Sequence, residues 1–346
     1  MTDDALRIAM VAPPFYEIPP DGYGGIEAVV ALLVDGLVDR GHDVTLISAG
    51  EARTKARTIT TFDEPQWPRL GRAEPELLHA ARVAGLLEEL EPGIVHDHTA
   101  AGPAFARDRR FPMVVTSHGP ATGDWGEYLA AAGPELCLVA ISQAQVDLSP
   151  ILPWRGVVHN SLDVSSIPWR SDKEDYVVWL GRLSPDKAAH LAIDIAREAG
   201  RRIVVAGKCT EPDETQYFEA EVKPRLGPDV EYVEELKVDE KYDLLADAAA
   251  FVFPLQWEEP FGMVLVEAMA CGTPVLSLRR GAVPEIVVDG VTGYVRDDAS
   301  ELVEALHQLD AIEAAACRAQ VEQNFSPEKM VAAYEDVYRS CLAGAG

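Results

Sequence analysis

Basic side chains are scarce in this chain: 30 Lys and Arg stand against 57 Asp and Glu over 346 residues, a formal charge of −27. An excess of that sign repels phosphate backbones and anionic lipid headgroups, so neither a nucleic-acid partner nor strong binding to an anionic membrane is expected. The first half is acidic as well, about −11 through Asp163 from 12 basic against 23 acidic residues, which disfavours a membrane phospholipid as its ligand. The same excess also suits a merely well-solvated surface or a saline cytoplasm. Cysteine is sparse. Cys137, Cys209, Cys271, Cys317 and Cys341 are odd in number, scattered and without a paired motif, as expected of reduced thiols in a cytoplasmic protein. The sequence has no apolar run of about 18 residues, no leader-like start, no low-complexity tail and no repeat with a period of about 20–50 residues. A membrane span and a solenoid are thereby excluded.

What is present is an alternation of short apolar strands and amphipathic helices. Arg7–Ala12 and Val44–Ser48 read as strands around a helix over Ile26–Arg40. The pattern restarts after Asp175, with strands at Tyr176–Leu180, Arg202–Ala206, Glu231–Val233, Ala250–Pro254 and Val275–Leu278. The chain is too long for one ordinary domain, and two α/β halves of roughly 150 residues are expected. Their bounds are placed at 1–166 and 172–326. The short polar stretch within Val164–Lys173 reads as a hinge. A last helix, about 327–346, carries Met330, Tyr334, Val337 and Tyr338 at helical spacing.

Chemistry concentrates in the second half. In Glu259-Pro-Phe-Gly-Met-Val-Leu-Val-Glu267 the second carboxylate lies inside an apolar helix and the first stands at its mouth. Pro260 suits a first helical turn, and Gly272 with Pro274 ends the helix. At about 1.5 Å per residue the two carboxylates stand roughly 8–12 Å apart along the axis. Free N–H groups of the first turn lie between them and attract an anion. A nucleotide sugar, with hydroxyls at both ends and a diphosphate between, fits that ruler. The spacing equally suits a surface Glu and a helix-dipole Glu flanking a core helix. Upstream, Tyr176-Val-Val-Trp-Leu-Gly-Arg182-Leu-Ser-Pro-Asp-Lys187 brings two cations to the carboxyl end of a strand, where open α/β sheets bind ligands. They either hold a diphosphate or are solvated loop charges. At the amino end, Gly24-Gly25 before a helix offers backbone N–H groups to phosphate oxygens, or simply makes a turn.

In order along the chain, Gly24-Gly25-Ile-Glu27, Gly41-His42-Asp43-Val44, Val95-His-Asp-His98, Thr116-Ser-His118-Gly119 and Val158-His-Asn160-Ser-Leu-Asp163 lead to Gly181-Arg182 with Lys187. The Glu259 to Glu267 pair, Cys271-Gly-Thr-Pro274, Gly281-Ala-Val-Pro-Glu285 and Asp289-Gly-Val-Thr-Gly293 follow. This ordered set resembles the family-4 retaining glycosyltransferases, a group 1 family of the GT-B fold, in which two Rossmann-like α/β domains face a central cleft. The Pro19 to Ile26 segment is also similar to that of a bacterial subgroup containing antibiotic-tailoring transferases. The resemblance implies a hexosyltransferase that moves a sugar from a nucleotide donor, UDP being commonest, to an acceptor hydroxyl with retention. It also implies that no metal or other cofactor is required.

Carried over residue by residue, the resemblance puts the ribose on Glu267 and sugar hydroxyls on Glu259. The diphosphate falls to Arg182 and Lys187, with backbone groups at Gly24 and Gly25 and at Phe261, Gly262, Met263 and Val264. The base edge falls to the stretch around Leu236, and the donor sugar to His118. The last helix is implied to cross back onto the first domain. Two positions depart from the pattern: Ala188 stands where glycine is common after the lysine, and Ser161 replaces a glycine. His96 and His98 share a strand face, but without a third ligand a zinc site is not expected. The acceptor, a sugar, small molecule or glycan, is expected on the first half, along the Phe15 to Tyr23 loop, near His98 and on the Gly119 to Tyr128 loop with Trp125, although these aromatics also suit loop packing. A monomer or homodimer is expected. A catalytically idle nucleotide-sugar binder and a sugar-nucleotide epimerase on the same fold remain alternatives.

Overall fold

The computed structural model describes residues 5–22, 24–105, 110–133 and 135–344. The chain divides into two compact units. One runs to Ser161 and takes in the segment from Pro327 onward; the other is Leu162–Ser326.

The first unit holds a seven-stranded parallel sheet. Its strands are β1 (Arg7–Val11), β2 (Asp43–Ala49), β3 (Arg57–Phe62), β4 (Ile94–Asp97), β5 (Met113–Ser117), β6 (Cys137–Ala140) and β7 (Trp154–Val157), in the order β3-β2-β1-β4-β5-β6-β7. The second unit holds six parallel strands, β8 (Tyr176–Leu180), β9 (Arg202–Ala206), β10 (Val230–Val233), β11 (Ala250–Phe253), β12 (Val275–Leu278) and β13 (Gly293–Arg296), in the order β10-β9-β8-β11-β12-β13. Central strands such as β11 and β12 are buried throughout, as expected of parallel strands covered on both faces, and the one polar residue among them, Ser277, donates its hydroxyl to the Phe253 carbonyl. Strand order reverses between β1 and β4 in one unit and between β8 and β11 in the other, which opens a crevice beyond the carboxyl ends of each pair.

The helix Pro327–Gly344 belongs to the first unit and packs against the helix Gly25–Asp39. Glu335 holds it there, accepting hydrogen bonds from both Arg40 nitrogens at 2.7 Å and contacting His42 Nε2 at 2.9 Å. Arg40, then His42, holds the Glu335 carboxyl down at about 2. The same helix corrects the thiol expectation, because Cys341 is disulfide-bonded to Cys137 of β6 across 204 residues. A spacing that long leaves no local signature; only the docking of the last helix brings the two sulfurs together.

The expected hinge also differs. The break between units falls between Ser161 and Leu162, and the segment that follows is fastened to the second unit. Arg318 donates to the carbonyls of Val164, Ile167 and Ala270 at 2.7, 3.1 and 2.9 Å, and Arg170 N–H donates to Cys271 at 3.2 Å. Polar composition there reflects hydrogen bonding to a domain surface rather than freedom.

Candidate active site

In the second unit the loop after β11 carries Glu259 and turns into the helix Met263–Ala270 at Gly262, whose φ of 88° is left-handed. Pro260 therefore lies ahead of the helix, not in its first turn as expected, since the left-handed residue breaks the helical path after it. The first-turn N–H groups of Met263 and Val264 open outward, as helix geometry requires. Gly281 pins the loop from behind: Ala282 N–H donates to Glu259 O at 2.9 Å, and Gly281 N–H donates to the Glu258 carboxylate.

Lys187 is fixed at its backbone and paired at its tip. Its carbonyl accepts from Trp179 Nε1 at 3.0 Å, and the preceding Asp186 carbonyl accepts from Gln256 N–H at 2.9 Å. The ammonium is ion-paired with Glu259 Oε2, 4.6 Å above the Trp257 ring and 5.6 Å from that of Phe253. Trp257 Nε1–H donates to the same carboxylate oxygen at 3.1 Å. Lys187 and Glu259 thus meet at the β8/β11 switch point. Ala188 adopts a left-handed backbone (φ 55°, ψ 48°), a conformation that costs a non-glycine residue roughly 1–2 kcal/mol. The alanine occupies this glycine-like geometry under strain.

Arg182 is not drawn into this cluster. It is half exposed, 3.9 Å from Asp186, and lines a cavity of about 490 Å³ with Ser184, Pro185, Asp186 and the segment 211–214.

Glu267, one turn into the helix, is mostly buried and bonded to Lys241 Nζ at 2.7 Å. Burial first, and then the neighbouring Glu267 charge, push the Tyr242 hydroxyl well above its ordinary value. Leu236 lies half-buried in the loop before the helix Val238–Asp247 that supplies Lys241 and Tyr242. Lys241, Tyr242 and Trp257 were not singled out in the sequence. The signal for the first two is their place on the helix that follows the stretch expected to face the base.

In the first unit Gly24 caps the helix that begins at Gly25, and an added Cβ at Gly24 would lie 2.8 Å from Pro20. Glu27 is buried, and that burial, with a smaller push from Glu76, raises its carboxyl to about 7. His118 follows β5 and contacts His98 Nδ1 through Nε2 at 2.8 Å. His96 spends both ring nitrogens on hydroxyls, Tyr338 and Thr116, each at 2.8 Å. Burial pushes His118 down to about 4 and His96 to about 3, so both rings are neutral at pH 7. Among the described residues no group of three His, Cys, Asp or Glu side chains is arranged to hold a metal ion. Of the aromatics expected to line an acceptor surface, Phe15 is buried, and Trp125 packs with Tyr128 against the first-unit core. Tyr23 lies outside the described residues.

Two family comparisons cover most of the chain. Residues 23–144 match Glycosyltransferase Family 4 and residues 166–324 match Glycosyl transferases group 1. Glycogen synthase of Mycobacterium tuberculosis is 27% identical over 402 aligned residues, spanning 98% of this chain and 96% of its own. The alpha-maltose-1-phosphate synthase of the same organism is also 27% identical, over 98% and 100%. Among solved structures, AviGT4, a glycosyltransferase involved in avilamycin A biosynthesis, aligns with a TM-score of 0.74 at 26% identity, covering 98% of both chains. The Anabaena protein Alr3699/HepE, solved with UDP and glucose, shares the fold with a TM-score of 0.74 at 20% identity over 97% and 100%. With two parallel α/β units and these matches along its length, the chain belongs to the group 1 glycosyltransferases of the GT-B fold.

Proposed function

We propose that this glycosyltransferase moves a hexose from a UDP-sugar to an acceptor hydroxyl with retention of configuration and without a metal ion. The observation that carries the reading is the Lys187–Glu259 ion pair just ahead of the helix Met263–Ala270, with Glu267 one turn further along that helix. Loss of the nucleoside diphosphate breaks the anomeric C–O bond, leaves an oxocarbenium-like carbon and loads negative charge on the β-phosphate. Lys187 and the N–H groups of Met263 and Val264 act on that charge more strongly in the transition state than in the bound donor, and Arg182 joins them on turning from Asp186 to the diphosphate. The acceptor oxygen bonds to the same face of the carbon, and its proton passes to the departing phosphate oxygen. Glu267 receives the ribose hydroxyls, Glu259 those of the sugar, and the Leu236 loop the base edge. Phe261 and Gly262 shape the turn beneath the phosphates. Gly24 and Gly25 offer phosphate contacts from the first unit, and the neutral His118 serves the transferred sugar. A nucleotide-sugar donor suits a cytoplasmic protein, and with Cys137 and Cys341 bonded that placement rests on the donor and not on free thiols.

UDP is the first nucleotide to try, because the Anabaena protein of the same fold is solved with UDP-glucose. Incubation with UDP-glucose and candidate acceptors, followed by NMR of the product, tests the reading. The expected product keeps the donor's anomeric configuration, and its rate of formation is unchanged by EDTA. An inverted product, or activity that EDTA abolishes and a divalent cation restores, would overturn it.

A further inference from the structure

Two groups compete for one oxygen in the second-unit site. Lys187 Nζ and Trp257 Nε1–H both engage Oε2 of Glu259. No hydrogen bond to Oε1 from a described residue accompanies them. The indole also presents its face to Lys187 at 4.6 Å, so one side chain contacts both members of the ion pair by two different physical means, a hydrogen bond and a cation–π contact. Its neighbour Gln256 donates its backbone N–H to the Asp186 carbonyl, so a hydrogen bond joins the loop carrying the indole to the turn carrying Lys187.

A diphosphate at the helix amino end attracts Lys187 more strongly than a single carboxylate can, and taking it removes the cation that neutralises a largely buried Glu259. An unpaired buried carboxylate is costly and free to swing. Trp257 limits both consequences: its N–H remains a donor to Oε2, which restrains the carboxylate and leaves Oε1 for incoming hydroxyls. We propose that Trp257 is a positioning residue for donor recognition, one that seats Lys187 for the diphosphate and holds Glu259 for the sugar. Sugar recognition then follows arrival of the diphosphate, and a free hexose meets a neutralised carboxylate. The inference rests on the donor reading proposed above.

Calorimetric titration with UDP and UDP-glucose separates the two roles. Trp257→Phe keeps the ring face and loses the N–H. It is expected to bind UDP within about twofold of wild type and UDP-glucose about tenfold more weakly, the size of a lost hydrogen bond to a charged group. Trp257→Leu, which loses both contacts, is expected to weaken both ligands. Glu259→Gln supplies an arm that leaves the indole in place: with Lys187 released, UDP binds several-fold more tightly while UDP-glucose binds more weakly. Equal losses for both ligands in Trp257→Phe, unchanged UDP-glucose affinity there, or weaker UDP binding in Glu259→Gln would each overturn this inference and leave the donor reading standing. Wild-type protein that binds neither ligand would overturn the UDP donor reading and this inference with it.

Discussion

Glu27 shows how far one residue's chemistry can depart from its appearance in the sequence. In the sequence it is only the last member of the Gly24-Gly25-Ile-Glu27 run, yet it is 4% exposed, and burial raises its carboxyl to about 7. A raised carboxyl binds its proton more tightly in the folded chain than in the unfolded one. Its contribution to stability is therefore complete below the ordinary value of 4.5 and is lost as pH rises through about 7. The shift corresponds to on the order of 3 kcal/mol. Glu76, raised by burial and by Asp97, has the same sign. Urea denaturation at pH 5 and pH 8 should show Glu27→Gln gaining stability relative to wild type at the higher pH. An equal difference at both pH values would show that Glu27 is ionised in the folded protein. Of the residues expected to share a donor site, Lys187 and Glu259 meet in an ion pair across 72 positions, Glu267 pairs with Lys241, and Arg182 stands with Asp186 instead. Trp257 and Lys241 were not legible in the sequence, because their roles come from which oxygen each reaches, and spacing does not carry that.

At the scale of elements, the sequence located the second-unit strands β8, β9, β11 and β12, whose largely apolar runs end at turn residues, and also the half-exposed edge strand β10. It passed over β3, β6, β7 and β13, short or half-polar segments whose strand state depends on a neighbour already being in the sheet. Pro260 misled for a similar reason: proline tolerates a first turn without demanding one, and Gly262 decides where the helix starts. Gly281 gives this scale its sharpest test. Its φ is +48°, and an added Cβ would lie 2.2 Å from Glu259 O and 2.4 Å from Glu259 N. Backbone cannot yield as a flexible side chain would, so Gly281→Ala must displace the loop bearing Glu259. A fall in kcat/KM of about 100-fold is expected, the usual result of moving a positioning group by about 1 Å. Steady-state kinetics with a donor sugar would check it, and near wild-type activity would mean that Glu259 does not depend on this contact.

For the whole molecule, length and alternation were enough to anticipate two α/β units, but the closing of the chain was not. The last helix returns to the first unit and is held there by Glu335, by the Tyr338 hydroxyl on His96, and by the Cys137–Cys341 bond. Each contact joins residues more than 200 positions apart, beyond any local pattern. A bridge closing so long a loop contributes about 2–4 kcal/mol. Reductant should therefore lower the urea midpoint of wild type and leave a Cys137→Ser, Cys341→Ser double variant unaffected. A wild-type midpoint indifferent to reductant would indicate that the thiols are not bonded in solution.

The most direct measurement is calorimetric binding of UDP to wild type and to Glu267→Ala. Binding by wild type, reduced at least tenfold when the carboxylate held by Lys241 is removed, is the expected result and places the ribose on Glu267. Wild type that binds no UDP, or a variant that binds it as tightly as wild type, would contradict the donor site described above.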